Sequence, residues 1–194
     1  MRSHSIVWFL LGTSWTAEAA SPALHVMVID QVGIEDTGIA IATDVAQRIL
    51  NHAGVATSWV TCRSECPPDT GRVDVSVRIV ARPTPDHKVS ASANGMALGG
   101  TPGGFAQYAY VYYERVLSQG SWTRYRVLGH VLAHEIGHLL GREHSGQGIM
   151  RAAWTQKQAQ DLATAYLLFT ANEAKTMQQN VEARTRRAVP LPPR

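Results

Sequence analysis

In 134-HEIGHLLGREHSGQGIM-150, three histidines, two glutamates, four glycines and a methionine fall within seventeen residues. His134 and His138 are four residues apart, so on a helix their rings project from neighbouring turns of one face. Two imidazoles at that separation can share one tetrahedral ion at about 2.0–2.1 Å each. The alternative is a buried helix whose histidines have no common role, and the rest of the stretch distinguishes the two.

The residues after the first histidine favour the metal site. Gly141 can adopt the left-handed conformation that ends a helix, so that His144 turns back to the same ion. Glu135 lies about 100° round the helix from His134, too far to be a third ligand but able to reach a metal-bound water. Three neutral imidazoles leave a fourth position for that water, as in catalytic zinc sites. Random placement would give the full pattern in roughly one such chain in twenty thousand.

The stretch also resembles a known family. The segment 134-HEIGHLLGREH-144 matches the H-E-x-x-H-x-x-G-x-x-H signature of the metzincin metallopeptidases at every fixed position. The serine directly after the third histidine, Ser145, resembles the sequence of the matrixin branch of that clan at this position. Met150 resembles the methionine turn that lies beneath the metal. The order of predicted elements before the motif is also similar to the clan.

The resemblance implies a zinc-dependent endopeptidase with one catalytic Zn²⁺. The implied zinc ligands are His134, His138 and His144, supported by Gly141 and Met150. Glu135 is implied as the general base, which takes a proton from the activated water and passes it to the leaving amine. The implied partner is a peptide or protein substrate. Two alternatives stay open: a catalytically inactive zinc-binding interaction protein on the same scaffold, and a hydrolase of a non-peptide amide.

The segment 95-GMALGG-100 has two interpretations. It is either a plain loop or, in a metzincin-like fold, the sheet edge above the cleft. A peptide would add to that edge as an extra strand through backbone hydrogen bonds. The second interpretation assigns substrate contacts to Gly95, Met96, Ala97, Leu98 and Gly99.

Two further residues compete for roles near the metal. His130 lies one turn before His134, and is either a fourth ligand or a histidine of the surrounding core, which we favour because three ligands already complete the set. Glu173 would be the third ligand in a thermolysin-like arrangement. With His144 in place, we expect Glu173 not to bind the metal.

Periodicity predicts an α+β fold: a mixed twisted sheet of four or five strands, a crossover helix, a buried active-site helix and a C-terminal helix. The strand candidates are 24–30, 55–61, 73–81 and 107–116. The crossover helix is expected to begin with Asp36 or Thr37 as its cap and to end near Gly54. The active-site helix is predicted at about 121–140. The last helix is predicted from Thr155 through Ala174, with Gln158 as the capping-box partner of Thr155.

Length and composition indicate one globular domain with short tails. The chain has 194 residues, 45% of them hydrophobic and 17% charged. The formal net charge is +3, but four arginines lie in 184-RTRRAVPLPPR-194, which we expect to be a disordered basic tail. Residues 21–183, the predicted catalytic domain, carry 13 basic and 14 acidic residues. The near-neutral charge of this domain therefore gives no support for nucleic-acid binding. Separately, we expect the protein to be a monomer.

The N-terminus resembles an export signal. Arg2, the apolar run 6-IVWFLLG-12 and the A-x-A pattern in 17-AEAA-20 predict a signal peptide over residues 1–20, and hence a secreted or periplasmic protein. The alternative is an N-terminal strand. No apolar run approaches the roughly 18 residues of a membrane span.

The two cysteines are close together in the chain. Cys62 and Cys66 form either a small disulfide loop, which export would permit, or two free thiols. No further cysteine is present to complete a metal site with them.

Overall fold

The computed structural model describes residues 23–64, 66, 71–100, 104–118, 123–162 and 164–188, so the predicted signal peptide lies outside the described residues. Five strands form one sheet in this part of the chain: β1 (Leu24–Asp30), β2 (Thr57–Arg63), β3 (Val75–Val80), β4 (Gly95–Ala97) and β5 (Tyr108–Tyr112). Their order across the sheet is β2-β1-β3-β5-β4. Strands β2, β1, β3 and β5 are parallel to one another, and β4 is antiparallel to β5. The mixed sheet and the α+β class are as expected.

The helices of the described residues are α1 (Asp36–His52), α2 (Tyr113–Leu117), α3 (Arg124–Leu139), α4 (Gln156–Asp161) and α5 (Ala171–Ala188). The first of these connects β1 to β2, which are parallel neighbours, and so is the predicted crossover helix. Its N-cap is Glu35, with no side-chain cap, rather than Asp36 or Thr37. Its end before Gly54, where φ is +71°, agrees with the sequence prediction.

The core forms around β1 and α3. Leu24, Val26 and Val28 of β1 are almost fully buried, because this strand pairs on both sides and carries an apolar sequence suited to the interior of a parallel sheet. Helix α3 is buried around most of its circumference and packs on α1. At Gly129 a Cβ would lie 2.6 Å from the Ala42 carbonyl oxygen, so glycine permits this close approach of the two helices.

Two elements differ most from the sequence prediction. The strand expected over 107–116 ends at Tyr112, and the remainder is the short helix α2. The helix expected from Thr155 through Ala174 ends at Asp161, although its capping box between Thr155 and Gln158 is present. A separate helix, α5, begins at Ala171.

Tertiary hydrogen bonds explain why the helix stops. The Arg126 side chain donates to Leu162 O (2.6 Å), and Leu167 N donates to His130 Nε2 (3.3 Å). Ile149 N donates to Leu168 O (3.0 Å). Backbone groups of Leu162, Leu167 and Leu168 are therefore bound by α3 and by the loop after it, instead of continuing a helical ladder.

The predicted disordered tail begins too early. Helix α5 continues to Ala188, and Arg184 is 5% exposed. The Arg184 guanidinium donates to the carbonyl oxygens of Ala106 and Leu139, each at 2.7 Å, and to Asp74 O at 3.1 Å. These bonds fix the helix against the domain, so the boundary at 183/184 is wrong for residues 184–188. Residues 189–194 lie outside the described part of the chain.

Cys62 and Cys66 are joined by a disulfide, which confirms that interpretation over free thiols. Cys62 belongs to β2, the edge strand farthest from β4. None of the helices in the described ranges is both long and apolar enough to cross a membrane.

Candidate metal centre and active-site cleft

Helix α3 carries three of the polar residues of the motif into the core. His134 is 8% exposed and Glu135 is 4% exposed, and His138 follows one turn later at the end of the helix. The neighbouring apolar residues Ile136 and Leu139 are fully buried and hold this end of the helix against the sheet. The helix therefore places the imidazoles and the carboxylate while its apolar side chains anchor it.

The chain reverses at Gly141, as the sequence predicts. Its φ of +82° lies in the left-handed region. Gly141 N donates to His138 O (3.0 Å) and Arg142 N donates to Gly137 O (3.0 Å), which together form a Schellman motif. This turn brings His144 back towards the helix that it follows.

Three imidazoles converge after this turn. His138 Nε2 lies 3.1 Å from His134 Nε2 and 3.2 Å from His144 Nε2. Ligand nitrogens bound tetrahedrally at about 2.0–2.1 Å lie roughly 3.3 Å apart, so the observed spacing suits a single ion. No other group of three or more such side chains with this geometry occurs among the described residues.

The hydrogen bonds of the rings decide which nitrogens face the centre. His134 Nδ1 donates to Ile149 O and His138 Nδ1 donates to Arg142 O, each at 2.7 Å. With the proton on Nδ1, the Nε2 atoms of His134 and His138 present lone pairs to each other. Lone pairs facing one another at about 3 Å form no hydrogen bond, so the residues fit a bound cation.

Burial keeps the imidazoles of His134 and His138 neutral. It lowers the pKa of His134 to about 4. Burial also lowers the pKa of His138, with a hydrogen bond to Arg142 acting in the opposite direction. Neutral imidazole is the form that binds a metal, so both rings are ready to bind at neutral pH.

Glu135 lies in the same cleft, in an apolar environment. Its Oε2 is buried and has no hydrogen-bond partner among the described residues. Burial raises the pKa of Glu135 to about 8, and a nearby cation would act in the opposite direction. A Cβ at Gly95 would lie under 3.0 Å from Glu135 Oε1, so the carboxylate occupies the space that any other residue would fill.

Met150 lies against the helix that carries the histidines. It is fully buried, and a Cβ at Gly137 would lie 2.7 Å from its Sδ. The short connection from His144 closes because Ser145 N donates to Met150 O (2.8 Å) and Gly148 adopts a φ of +64°. Six residues are therefore enough to bring the methionine beneath the histidine-bearing helix.

The histidines open into a cleft of about 620 Å³. One wall is β4 with the residues after it, and all five predicted substrate-contact residues line it: Gly95, Met96, Ala97, Leu98 and Gly99. The strand is outermost in the sheet of the described residues. Trp154 and Arg151 belong to the segment after Met150 and also line the cleft.

The two competing candidates do not join the cluster. His130 is fully buried, with Nδ1 donating to Arg126 O (2.7 Å) and Nε2 accepting from Leu167 N, so both ring nitrogens are used elsewhere. Glu173 Oε2 accepts from Thr170 N (2.7 Å), and Glu173 N donates to Thr170 Oγ1 (3.3 Å). This reciprocal pair is a capping box at the start of α5. The spacing 170-TANE-173 could have revealed it in the sequence.

Three contributors to the site were missed from the sequence. They are the Ile149 carbonyl oxygen, which also accepts from Trp154 Nε1 (3.2 Å), the close fit of Gly95 to Glu135, and Arg142 in the cleft wall. A backbone carbonyl leaves no mark on residue identity. The glycine is visible in the sequence, but its neighbour is not.

Solved structures with a similar fold include two archaemetzincins and a bacterial metalloproteinase. Archaemetzincin from Methanopyrus kandleri aligns with a TM-score of 0.59 at 14% identity, over 85% of this chain and 99% of that one. Archaemetzincin from Archaeoglobus fulgidus, complexed with malonate, aligns with a TM-score of 0.53 at 14% identity, over 79% and 99%. Metalloproteinase-II from Bacteroides fragilis gives 0.51 at 16% identity, over 85% of this chain and 55% of that one.

At these identities the similarity is one of fold. The chain spans about half the length of the Bacteroides fragilis protein. No protein-family model matches the sequence, and no curated protein matches it. The chain thus has an archaemetzincin-like fold in which α3 and the turn after it bring three histidines together.

Proposed function

We propose that this protein is a zinc-dependent endopeptidase of the metzincin type. The observation that carries the proposal is the convergence of three histidine Nε2 atoms beside the buried Glu135 carboxylate, in a cleft bordered by a sheet edge. Three neutral imidazoles with an open fourth position are a ligand set of catalytic zinc sites. The fold shared with archaemetzincins and a metalloproteinase supports the same class. Assignment to the matrixin branch, suggested by Ser145, stays a prediction.

The proposed chemistry is hydrolysis of a peptide bond. A zinc ion held by His134, His138 and His144 supplies Lewis-acid activation of water and of the scissile carbonyl. Glu135 takes the proton of the attacking water and gives it to the departing amine. The carbon–nitrogen bond breaks, the carbonyl carbon gains the hydroxyl, and the amine gains the proton.

The edge strand offers a template for the substrate backbone. Tyr112 N donates to Asn94 O, and Leu98 N donates to Tyr108 O. Asn94 and Leu98, which flank β4, therefore direct their backbone groups towards β5. In an antiparallel pair the direction alternates. The N–H and C=O groups of Gly95 and Ala97 therefore point to the open side, where they can pair with an extended peptide.

The test combines metal content with cleavage of casein and of a quenched peptide library. We expect about one zinc per chain, peptide cleavage, loss of cleavage with a chelator, and recovery on adding zinc. Glu135→Gln should keep the metal and lower kcat/KM by about 10²–10⁴-fold. Full activity in that variant would refute the assigned base. Zinc binding with no cleavage would favour the interaction protein, and cleavage only of other amides would favour the third alternative.

We also infer export, which the disulfide between Cys62 and Cys66 supports because such bonds persist in oxidising compartments. Mass spectrometry of the mature protein from its host should find an N-terminus created by cleavage after Ala19 or Ala20. A mature chain that still begins at Met1 would contradict it.

A further inference from the structure

The cleft wall contains two arginines. Arg142 and Arg151 are half-buried and line the same cleft as His134 and Glu135. Within the described ranges, neither side chain has an ion pair, and the buried Nε of Arg142 has no hydrogen-bond partner. Arg48, by contrast, pairs with Asp44 at 2.8 Å. Arg142 and Arg151 therefore differ from Arg48 in having no carboxylate partner among the described residues.

Both arginines are held at fixed points of the backbone. Arg142 belongs to the Schellman turn, where its N donates to Gly137 O and its O accepts from His138 Nδ1. Arg151 follows Met150, whose carbonyl oxygen accepts from Ser145 N. Arg142 and Arg151 thus lie at the two ends of one short, hydrogen-bonded segment that contains His144.

The charge of the cleft is one-sided. Glu135 is the only acidic residue among the described residues that line it. Burying a donor without a partner is unfavourable by about 1–3 kcal/mol, so an acceptor that reached Arg142 Nε would be stabilising. The planar fork of arginine fits a carboxylate with two parallel hydrogen bonds.

We propose that this cleft selects peptides that carry a carboxylate close to the cleaved bond, and that Arg142 and Arg151 bind it. The proposal rests on the proposed function, since it names the substrate class of the same site. The carboxylate can belong to an aspartate or glutamate side chain, or to the C-terminus of the substrate. Arginine fixes both the charge and the planar geometry that the substrate must match.

The experiment uses quenched peptides that differ only by Glu or Gln, placed in turn at each of three positions on either side of the cleaved bond, with both ends blocked. A second pair has a free or an amidated C-terminus. We expect about a tenfold higher kcat/KM for the carboxylate member of at least one pair. A preference within the blocked series identifies a side chain as the source, and a preference only in the second pair identifies the chain terminus.

Variants connect the preference to the two residues. Arg142→Gln and Arg151→Gln should each reduce the carboxylate preference, and Arg151→Glu should shift it towards peptides with lysine at the same position. Arg48→Gln is the matched control and should leave the preference unchanged. Zinc content and circular dichroism show that each variant is folded and loaded. Equal rates within every pair, or a preference that survives both glutamine variants, would overturn the proposal.

A binding assay separates this proposal from the proposed function. Fluorescence anisotropy measures the affinity of the labelled Glu and Gln peptides for zinc-loaded Glu135→Gln, which needs no turnover. Tighter binding of the carboxylate peptide, lost in Glu135→Gln/Arg151→Gln, supports the proposal even if the wild type cleaves nothing. Equal affinity for both peptides refutes it, whatever the wild type cleaves.

Discussion

The backbone carbonyl oxygen of Ile149 lies 2.7 Å from His134 Nδ1 and accepts a hydrogen bond from it. This bond fixes the tautomer of His134, so that Nε2 faces the other two imidazoles. The two residues are fifteen positions apart, and the loop between them contains the third histidine. The loop therefore supplies a ligand and also orients the ligand that precedes it.

The first prediction concerns Gly148 in this loop. A Cβ there would lie 2.5 Å from Leu168 O, and the φ of +64° disfavours other residues. Gly148→Ala should displace the Ile149 carbonyl and weaken zinc binding by about 10–100-fold, as loss of a ligand's hydrogen-bond partner does. Competition with a chromogenic chelator measures the affinity. Gly146→Ala is the control, because nothing lies within 4 Å of its Cβ position; equal affinity in both variants would contradict the prediction.

The second prediction concerns Gly95. A Cβ there would meet Glu135 Oε1 and would lie 2.6 Å from Tyr110 O, which is backbone and cannot yield easily. Gly95→Ala should move the carboxylate and lower kcat/KM by more than about tenfold while zinc content stays the same, because Glu135, the proposed base, would transfer protons poorly once displaced. Gly146→Ala, with open space around its Cβ position and outside the cleft wall, should keep its activity. Peptide cleavage by the two variants at equal zinc occupancy decides the matter.

The third prediction separates strain from collision at Gly141. Its Cβ position has only an ordinary contact, 3.6 Å from Asn180 Nδ2, so the obstacle to substitution is the φ of +82°. Gly141→Ala should lower stability by about 1–2 kcal/mol, the penalty of the left-handed conformation. Gly141→Asn should lower it less, since asparagine tolerates that region better. Thermal unfolding of the metal-free proteins tests the order, and an equal Tm for glycine and alanine would rule out the strain argument.

The fourth prediction is a pH dependence caused by His130. Burial lowers the pKa of His130 to about 4, below the value of about 6.5 in an unfolded chain. As the pH falls below 6.5 the unfolded chain binds the proton first, so the free energy of unfolding decreases until the pH reaches about 4. The contribution of this residue is at most about 3 kcal/mol.

Urea unfolding of metal-free wild type and His130→Gln at pH 7.5, 6 and 5 measures the effect. Buried groups common to both proteins cancel in the difference. The stability advantage of the wild type should narrow by about 2 kcal/mol between pH 7.5 and pH 5. A constant difference across this range would show that His130 keeps an ordinary pKa in the folded protein.

Local patterns in the sequence predicted much of the fold. The bounds of β1 were predicted without error, because an apolar run between turn residues depends on its own composition. The capping box between Thr155 and Gln158 and the turn at Gly141 also followed from local spacing. Each of these features depends on a few consecutive residues, over which residue identity and backbone geometry are directly linked.

The errors occur where distant parts of the chain compete for the same backbone groups. The helix predicted through Ala174 breaks because α3 and the loop after it bind the carbonyl oxygens of Leu162 and Leu168 and the amide of Leu167. The predicted tail is helical through Ala188, with Arg184 bonded to Ala106 O, 78 residues away. No local pattern contains these partners.

The sequence by itself determined that His134, His138 and His144 can converge, since helix spacing and one glycine are enough to bring them together. Only the tertiary structure decided that the Nε2 atoms of His134 and His138 face each other, because the carbonyl oxygens of Ile149 and Arg142 accept hydrogen bonds from the two Nδ1 atoms. It also decided that Gly95 leaves room for Glu135. The difference is physical: side-chain spacing is written in the chain, whereas hydrogen bonds to backbone carbonyls and the absence of a Cβ act between segments that only folding brings together.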